Sequence, residues 1–198
     1  MNVETLLEKC DIYLKNEGRA SFYDLSMEIV RDHPLQASII MLATWNTARF
    51  RFMTSDSRNL QNLTSAVAEV QPLFKELDGM FSDADFDEIG ETIIRIYQIL
   101  SSVKGVEYTG SSKVMHILKP ELLVMWDTYI RDDYGYSTSA EDYLEFQKEM
   151  QNKFSGVSWK NPKKTLAKAI DEYNFADISL PKIQEERARR KKRRRARE

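Results

Sequence analysis

Apolar residues along this chain recur at three- and four-residue intervals and seldom alternate in twos, so the pattern predicts helices and no sheet. Val3, Leu6, Leu7 and Cys10 form the first stripe and predict a helix over Val3 to Asn16, with Gly18 as its stop. Ser21 and Asp24 have capping-box spacing and open a second helix, closed by His33 ahead of Pro34. Leu35 to Phe52 is apolar on most faces (Ile39, Ile40, Met41, Leu42, Trp45), as a central core helix would be. After a polar break, Leu60, Leu63, Val67 and Val70 carry a helix to about Leu77, interrupted at Pro72.

Ser82 and Asp85 repeat the cap spacing before Ile89, Ile93, Ile94, Ile96, Tyr97 and Leu100, a helix ending near Val103. A loop with Gly105 and Gly110 leads to a short helix, Ser111 to Leu118, stopped by Pro120. Glu121 to Trp126 reads as an extended connection, and Asp127 is placed to cap a helix through Tyr134. Ser139 with Asp142 opens a helix to Phe154, Asn161-Pro162 one to Tyr173, and Pro181 a last, wholly polar one. The expected fold class is all-α.

Length and composition refine this. With 198 residues, 42% hydrophobic and 30% charged, the chain can bury one sizeable core, so a single domain or a domain with two lobes is expected. The lone Cys10 excludes an internal disulfide and reads as a small core residue. No stretch approaches the roughly 18 apolar residues that span a bilayer, and the N-terminus lacks a signal-peptide pattern. An intracellular protein that avoids membranes follows: cytoplasm or nucleoid, or nucleus in a eukaryotic cell.

The formal net charge of -2 hides a layout. Residues 182–198 carry +7 and residues 1–181 carry -9. Within the body, residues 69–91 hold eight acids and one lysine, while residues 148–168 hold six lysines and one glutamate. A basic arm on a polarised body points to a polyanion partner, nucleic acid above all, with Lys160, Lys163 and Lys164 as candidate phosphate contacts.

Several chemistries drop out. His33, His116 and one cysteine give no zinc-type spacing, so no metal is expected. There is neither a Lys-Ser/Thr phosphate loop nor a Gly-x-Ser-x-Gly elbow, and no cofactor is implied.

The informative stretch is Glu91 to Gly135. A helix, a turn with Gly105 and Gly110, and a second helix with Ser111, Ser112 and Lys113 are followed by an apolar run into Trp126-Asp127-Thr128-Tyr129-Ile130-Arg131. This stretch resembles the helix-hairpin-helix DNA glycosylases, whose hairpin reads Leu-Pro-Gly-Val-Gly-Arg-Lys-Thr-Ala and whose later segment reads Val-Asp-Thr-His-Val-x-Arg. About 45 residues carry the resemblance, the second piece better than the first. The hairpin here lacks the Leu-Pro opening, and aligning on Gly110 puts Lys113 one place after the family's lysine.

The resemblance implies a two-lobed helical fold, with the hairpin at about 93–118, that binds double-stranded DNA as a monomer, everts a damaged or mismatched base and cleaves its glycosidic bond. Asp127 would be the catalytic carboxylate and Lys113 the amine of a lyase step. Gly105, Gly110, Ser111 and Ser112 would meet phosphate, because the first N–H groups of a helix after a hairpin are unpaired. Trp126, Tyr129, Tyr108, Trp45 and Asn46 would line the base pocket. Read without the family, Asp127 is an N-cap, the tryptophans are core and the glycines are turn residues. A non-catalytic nucleic-acid-binding or adaptor module, using the same hairpin and tail, is then the alternative.

Overall fold

The structure, a computed structural model, describes residues 1–195; these are all-helical, with no strand among them. Eleven α-helices run in order: α1 Val3–Asn16, α2 Ala20–Ile29, α3 Pro34–Trp45, α4 Thr47–Phe50, α5 Ser57–Phe74, α6 Gly90–Ser101, α7 Glu107–Leu118, α8 Thr128–Asp133, α9 Ala140–Phe154, α10 Leu166–Asn174 and α11 Leu180–Arg195. A π turn, Phe175–Ser179, joins the last two. No helix is long and apolar enough to cross a membrane among the described residues.

Local caps set five of the eleven helix starts. Asn2, Asp56, Asp127, Ser139 and Thr165 each accept a backbone N–H of the first turn of α1, α5, α8, α9 and α10. Elsewhere the expected boundaries move. Ser21 and Ser82 cap nothing: α2 starts at Ala20 without a side-chain cap and α6 only at Gly90. Pro34 opens α3 at its first position, where a proline needs no N–H partner. The expected long helix 35–52 breaks at Asn46, and the helix expected from Pro162 starts at Leu166 under the Thr165 cap. Cys10 is buried, as its stripe implies, and burial first of all pushes its thiol up to about 12.

The main core gathers Leu63, Val67 and Val70 of α5, Ile93, Ile96, Tyr97 and Leu100 of α6, and Tyr143, Phe146 and Met150 of α9 around Trp126. Helix α3 packs on α2 and α7, α6 on α5, α7 and α9, and α1 on α10. The extended stretch 123–127 crosses this core outside any helix, so the polar groups of its middle residues need other partners. Gln147 supplies them like a strand edge: its Oε1 accepts from Val124 N at 2.8 Å and its Nε2 donates to Val124 O at 3.0 Å, joined by the Tyr143 hydroxyl at 3.1 Å. The pinned segment delivers Asp127 to the surface.

Candidate functional site

Asp127 stands where two hollows meet. An outer cleft of about 320 Å³ opens between the α3–α4 junction, the start of α7 and the start of α8, lined by Trp45, Asn46, Arg49, Tyr108, Asp127 and Tyr129. An inner cavity of about 190 Å³ lies behind it, lined by Tyr13, Tyr23, Trp45, Lys113, Lys168 and Asp171, and again by Asp127. Trp45 and Asp127 belong to both walls.

Both Asp127 oxygens are engaged. Oδ1 accepts from Ile130 N at 2.8 Å and Oδ2 accepts from the Ser179 hydroxyl at 2.8 Å. The side chain is therefore an N-cap and a fixed carboxylate at once. Ser179 is fully buried on the π turn, an irregularity that commonly marks functional sites.

Lys113 is buried on α7 and its amine is weakly held, reaching the carbonyls of Thr109 and Trp126 only at 3.4 Å each. Burial lowers its pKa and the nearby Asp127 carboxylate opposes that; the outcome is about 8. An amine in this range has a substantial neutral, nucleophilic fraction near neutral pH.

Lys168, also buried, lies between the rings of Tyr13 and Tyr23, 4.5 and 4.7 Å from their centroids, and donates to Asp171 Oδ2 at 2.6 Å. Burial works against its charge, but Asp171, then Tyr13 and Glu172, outweigh it and raise its pKa well above the usual lysine range. The Tyr23 hydroxyl meets His116 Nε2 at 2.9 Å, while His116 Nδ1 lies 2.6 Å from the carbonyl of Leu123. A carbonyl can only accept, so Nδ1 carries the proton and Nε2 accepts from Tyr23. Burial brings His116 down to about 4.

Of the expected base-pocket residues, Tyr108, Tyr129, Trp45 and Asn46 line the outer cleft with Asp127. Asn46 and Trp126 also hold the fold together. The Asn46 amide donates to the carbonyls of Gly105 and Val106 at 3.1 and 3.0 Å, tying the α3–α4 break to the α6–α7 turn. The Trp126 ring is a core side chain, 1% exposed and packed on Tyr97, Tyr143 and Phe146. Trp126 nevertheless borders the inner cavity, and its carbonyl, hydrogen-bonded by Ser112 at 3.0 Å, lies beside Lys113.

The expected phosphate contacts need correction. Helix α7 starts at Glu107, four residues before Ser111, so Gly110, Ser111 and Ser112 sit inside it and are buried. A Cβ on Gly110 would lie 2.7 Å from Asn46 Nδ2 and 2.9 Å from Leu42 Cδ2; this glycine serves the close approach of α3 and α7. Gly105 has φ +97° but is buried under the backbone of Met53, 3.2 Å from where its Cβ would stand. Ser112 braces the segment ahead of Asp127 instead of facing solvent.

The lysine-rich segment lies away from the cleft, with Lys160 and Lys163 exposed. Lys160, Lys163 and Lys164 line a different groove, with Asp24 and Glu28, and Lys164 is ion-paired with buried Glu172. Lys148 pairs with Asp87 at 2.6 Å, so the acidic and basic segments partly neutralise each other. The cation that lines the cleft is Arg49, paired with Glu107 at 2.9 Å; exposed Arg51 and Lys104 both lie over Phe52.

Through Arg195 the arm is a helix, and its root is at the site. Ile183 lines the inner cavity, Glu186 accepts from the Tyr129 hydroxyl at 2.7 Å, and Lys182 pairs with Asp133 at 2.8 Å. The basic run begins at the next residue, Arg187, and is exposed through Arg195; Arg197 lies outside the described residues. No group of three His, Cys, Asp or Glu residues able to hold a metal occurs among the described residues. Comparison with protein-family models, curated proteins and solved structures finds no match for this chain.

Proposed function

We propose that this chain is a DNA glycosylase-like enzyme of the helix-hairpin-helix type, which binds duplex DNA, everts a damaged or mismatched base and breaks its N-glycosidic bond. The observation that carries the reading is the convergence of the Asp127 carboxylate and the buried, weakly held Lys113 amine on one cavity behind an open cleft. The sugar of an everted nucleotide would stand at Asp127, its phosphates in the outer cleft and its base in the inner cavity.

The chemistry follows from the two groups. As the C1′–N bond breaks, its electron pair leaves with the base and positive charge grows on the sugar, next to a fixed carboxylate. The neutral Lys113 amine attacks C1′ and loses a proton, balancing the proton gained by the departing base. Ring opening then leaves a Schiff base, from which elimination can cut the strand. Arm cations rooted beside the cleft would hold the backbone without reading sequence.

The test is a set of duplexes carrying deaminated, oxidised and alkylated bases: abasic product from at least one, lost in Asp127→Asn, is expected. No product from any of them overturns the enzyme reading. The exposed, strongly basic α11 favours a second reading, a nucleic-acid-binding module without chemistry, which predicts salt-dependent binding that Asp127→Asn leaves unchanged.

A further inference from the structure

The inner cavity contains a donor and an acceptor side by side that the cleavage chemistry does not use. Lys168 and Asp171 lie one helical turn apart on α10 and both face this cavity, bonded at 2.6 Å. The ammonium is fixed on two sides by the Tyr13 and Tyr23 rings and is approached on a third by Glu172 Oε1 at 3.7 Å. Asp171 uses one oxygen, Oδ2, on Lys168, and it is less buried than its partner. The pair sets a charged donor beside a carboxylate acceptor on one cavity wall, the two kinds of group that the edge of a heterocycle can meet.

We propose that the Lys168–Asp171 pair selects bases with a lactam edge, a ring N–H next to a carbonyl, the ammonium donating to the carbonyl and the carboxylate accepting from the ring N–H. This deepens the glycosylase reading and rests on it for the pose: the sugar at Asp127 fixes which way the base enters. In that pose adenine and cytosine reverse both groups, turning an amino donor toward the ammonium and a ring nitrogen lone pair toward the carboxylate. Unpaired or opposed buried polar groups are what give hydrogen-bonding pockets their discrimination. Uracil, thymine, hypoxanthine and guanine-type bases carry the edge. Tyr13, Tyr23 and Trp45 supply faces for any ring and so do not choose among them.

The experiment needs no cleavage. The full chain is titrated, by NMR, with two isosteric pairs of deoxynucleosides: deoxyinosine against deoxyadenosine, and deoxyuridine against deoxycytidine. The lactam member of each pair is expected to bind about tenfold tighter. The preference should vanish in Lys168→Met/Asp171→Leu, a double change that removes both charges of the pair together and so spares the fold. Equal affinities within both pairs, a preference for the amino members, or a lactam preference that survives in the double variant would each overturn the proposal. A lactam preference in a protein that cleaves no duplex supports this pocket and sinks only the enzyme reading. Cleavage of lesions without any lactam preference does the reverse.

Discussion

The Ser179 hydroxyl donates to Asp127 Oδ2 at 2.8 Å, so a buried residue on a π turn holds one oxygen of the carboxylate while the α8 backbone holds the other. Capping and chemistry at Asp127 can therefore be separated. Asp127→Asn keeps the cap, because asparagine is as good at that position, and thermal or urea unfolding should change little. Asp127→Ala should cost about 1 kcal/mol from the cap, plus the orphaned Ser179 hydroxyl. Both should abolish base release in the product assay. Equal stability losses in the two variants would show that the cap is not what Asp127 contributes to the fold.

Lys113 should titrate near pH 8. In the unfolded chain a lysine keeps its ordinary value, 10.5, so between about pH 8 and 10.5 the unfolded state binds a proton that the folded state does not. Stability should therefore rise with pH across that window. Below pH 8 the folded protein bears the full penalty of a buried ammonium, roughly 3 kcal/mol at about 1.36 kcal/mol per pH unit. Lys113→Met should stabilise the protein at pH 7 by up to that amount and by much less at pH 10.5, measured by urea unfolding at both. A destabilised Lys113→Met at pH 7 would contradict the assignment.

His116 has the complementary effect in acid. Its folded value of about 4 lies below the ordinary 6.5, so the unfolded state takes up a proton first as pH falls. Stability should drop from pH 6.5 to pH 4 by about 3 kcal/mol from this residue alone. In His116→Gln the acid-side slope should be shallower by close to one proton in the same unfolding series. Tyr23→Phe, which removes the donor to Nε2, should weaken the fold without changing the direction of that slope.

How much of this is legible in the sequence depends on whether the cause is local. Helix α1 keeps its expected bounds, and Asp127 and Ser139 cap as expected, because a cap is decided within a few residues. The break at Asn46 depends on carbonyls 59 and 60 residues away, at Gly105 and Val106, and no local pattern announces it. The start of α7 at Glu107 hides in a glycine-containing stretch that reads as loop, and Gly110 is needed for packing, not for a turn. Asp127 and Lys113 stand out as chemistry, but the walls of their cavity come from distant helices and do not. Lys168 leaves a trace, a lysine inside the apolar run Leu166-Ala167-Lys168-Ala169-Ile170 on a face that turns inward. Ser179 leaves none, since its role depends on the π turn.

Gly110 gives a purely structural check. Gly110→Ala places a methyl group against Asn46 and Leu42, where α3 and α7 meet, and should cost about 1–3 kcal/mol in urea unfolding. Gly135→Ala, with open space around it but φ +77°, should cost about 1 kcal/mol from backbone strain alone. A neutral Gly110→Ala would show that the packing of α3 on α7 does not need the missing side chain.

The arm should act through charge count alone. Ending the chain after Glu186 removes the run from Arg187 onward but keeps Lys182, Ile183 and Glu186 against the site. Affinity for a short duplex should fall, and the dependence of log K on log salt should flatten by about 0.9 for each phosphate that the arm no longer neutralises. An unchanged salt slope would place the polyanion-binding surface elsewhere, with Arg51 and Lys104 the next to vary.

The most direct measurement is borohydride trapping on lesion-bearing duplexes with the full chain. A covalent protein–DNA adduct is expected with at least one duplex, reduced in Asp127→Asn and absent in Lys113→Gln, because reduction fixes a Schiff base only on the amine that attacked C1′. An adduct that persists in Lys113→Gln, or none with any duplex, would contradict the joint action of Asp127 and Lys113 on one sugar.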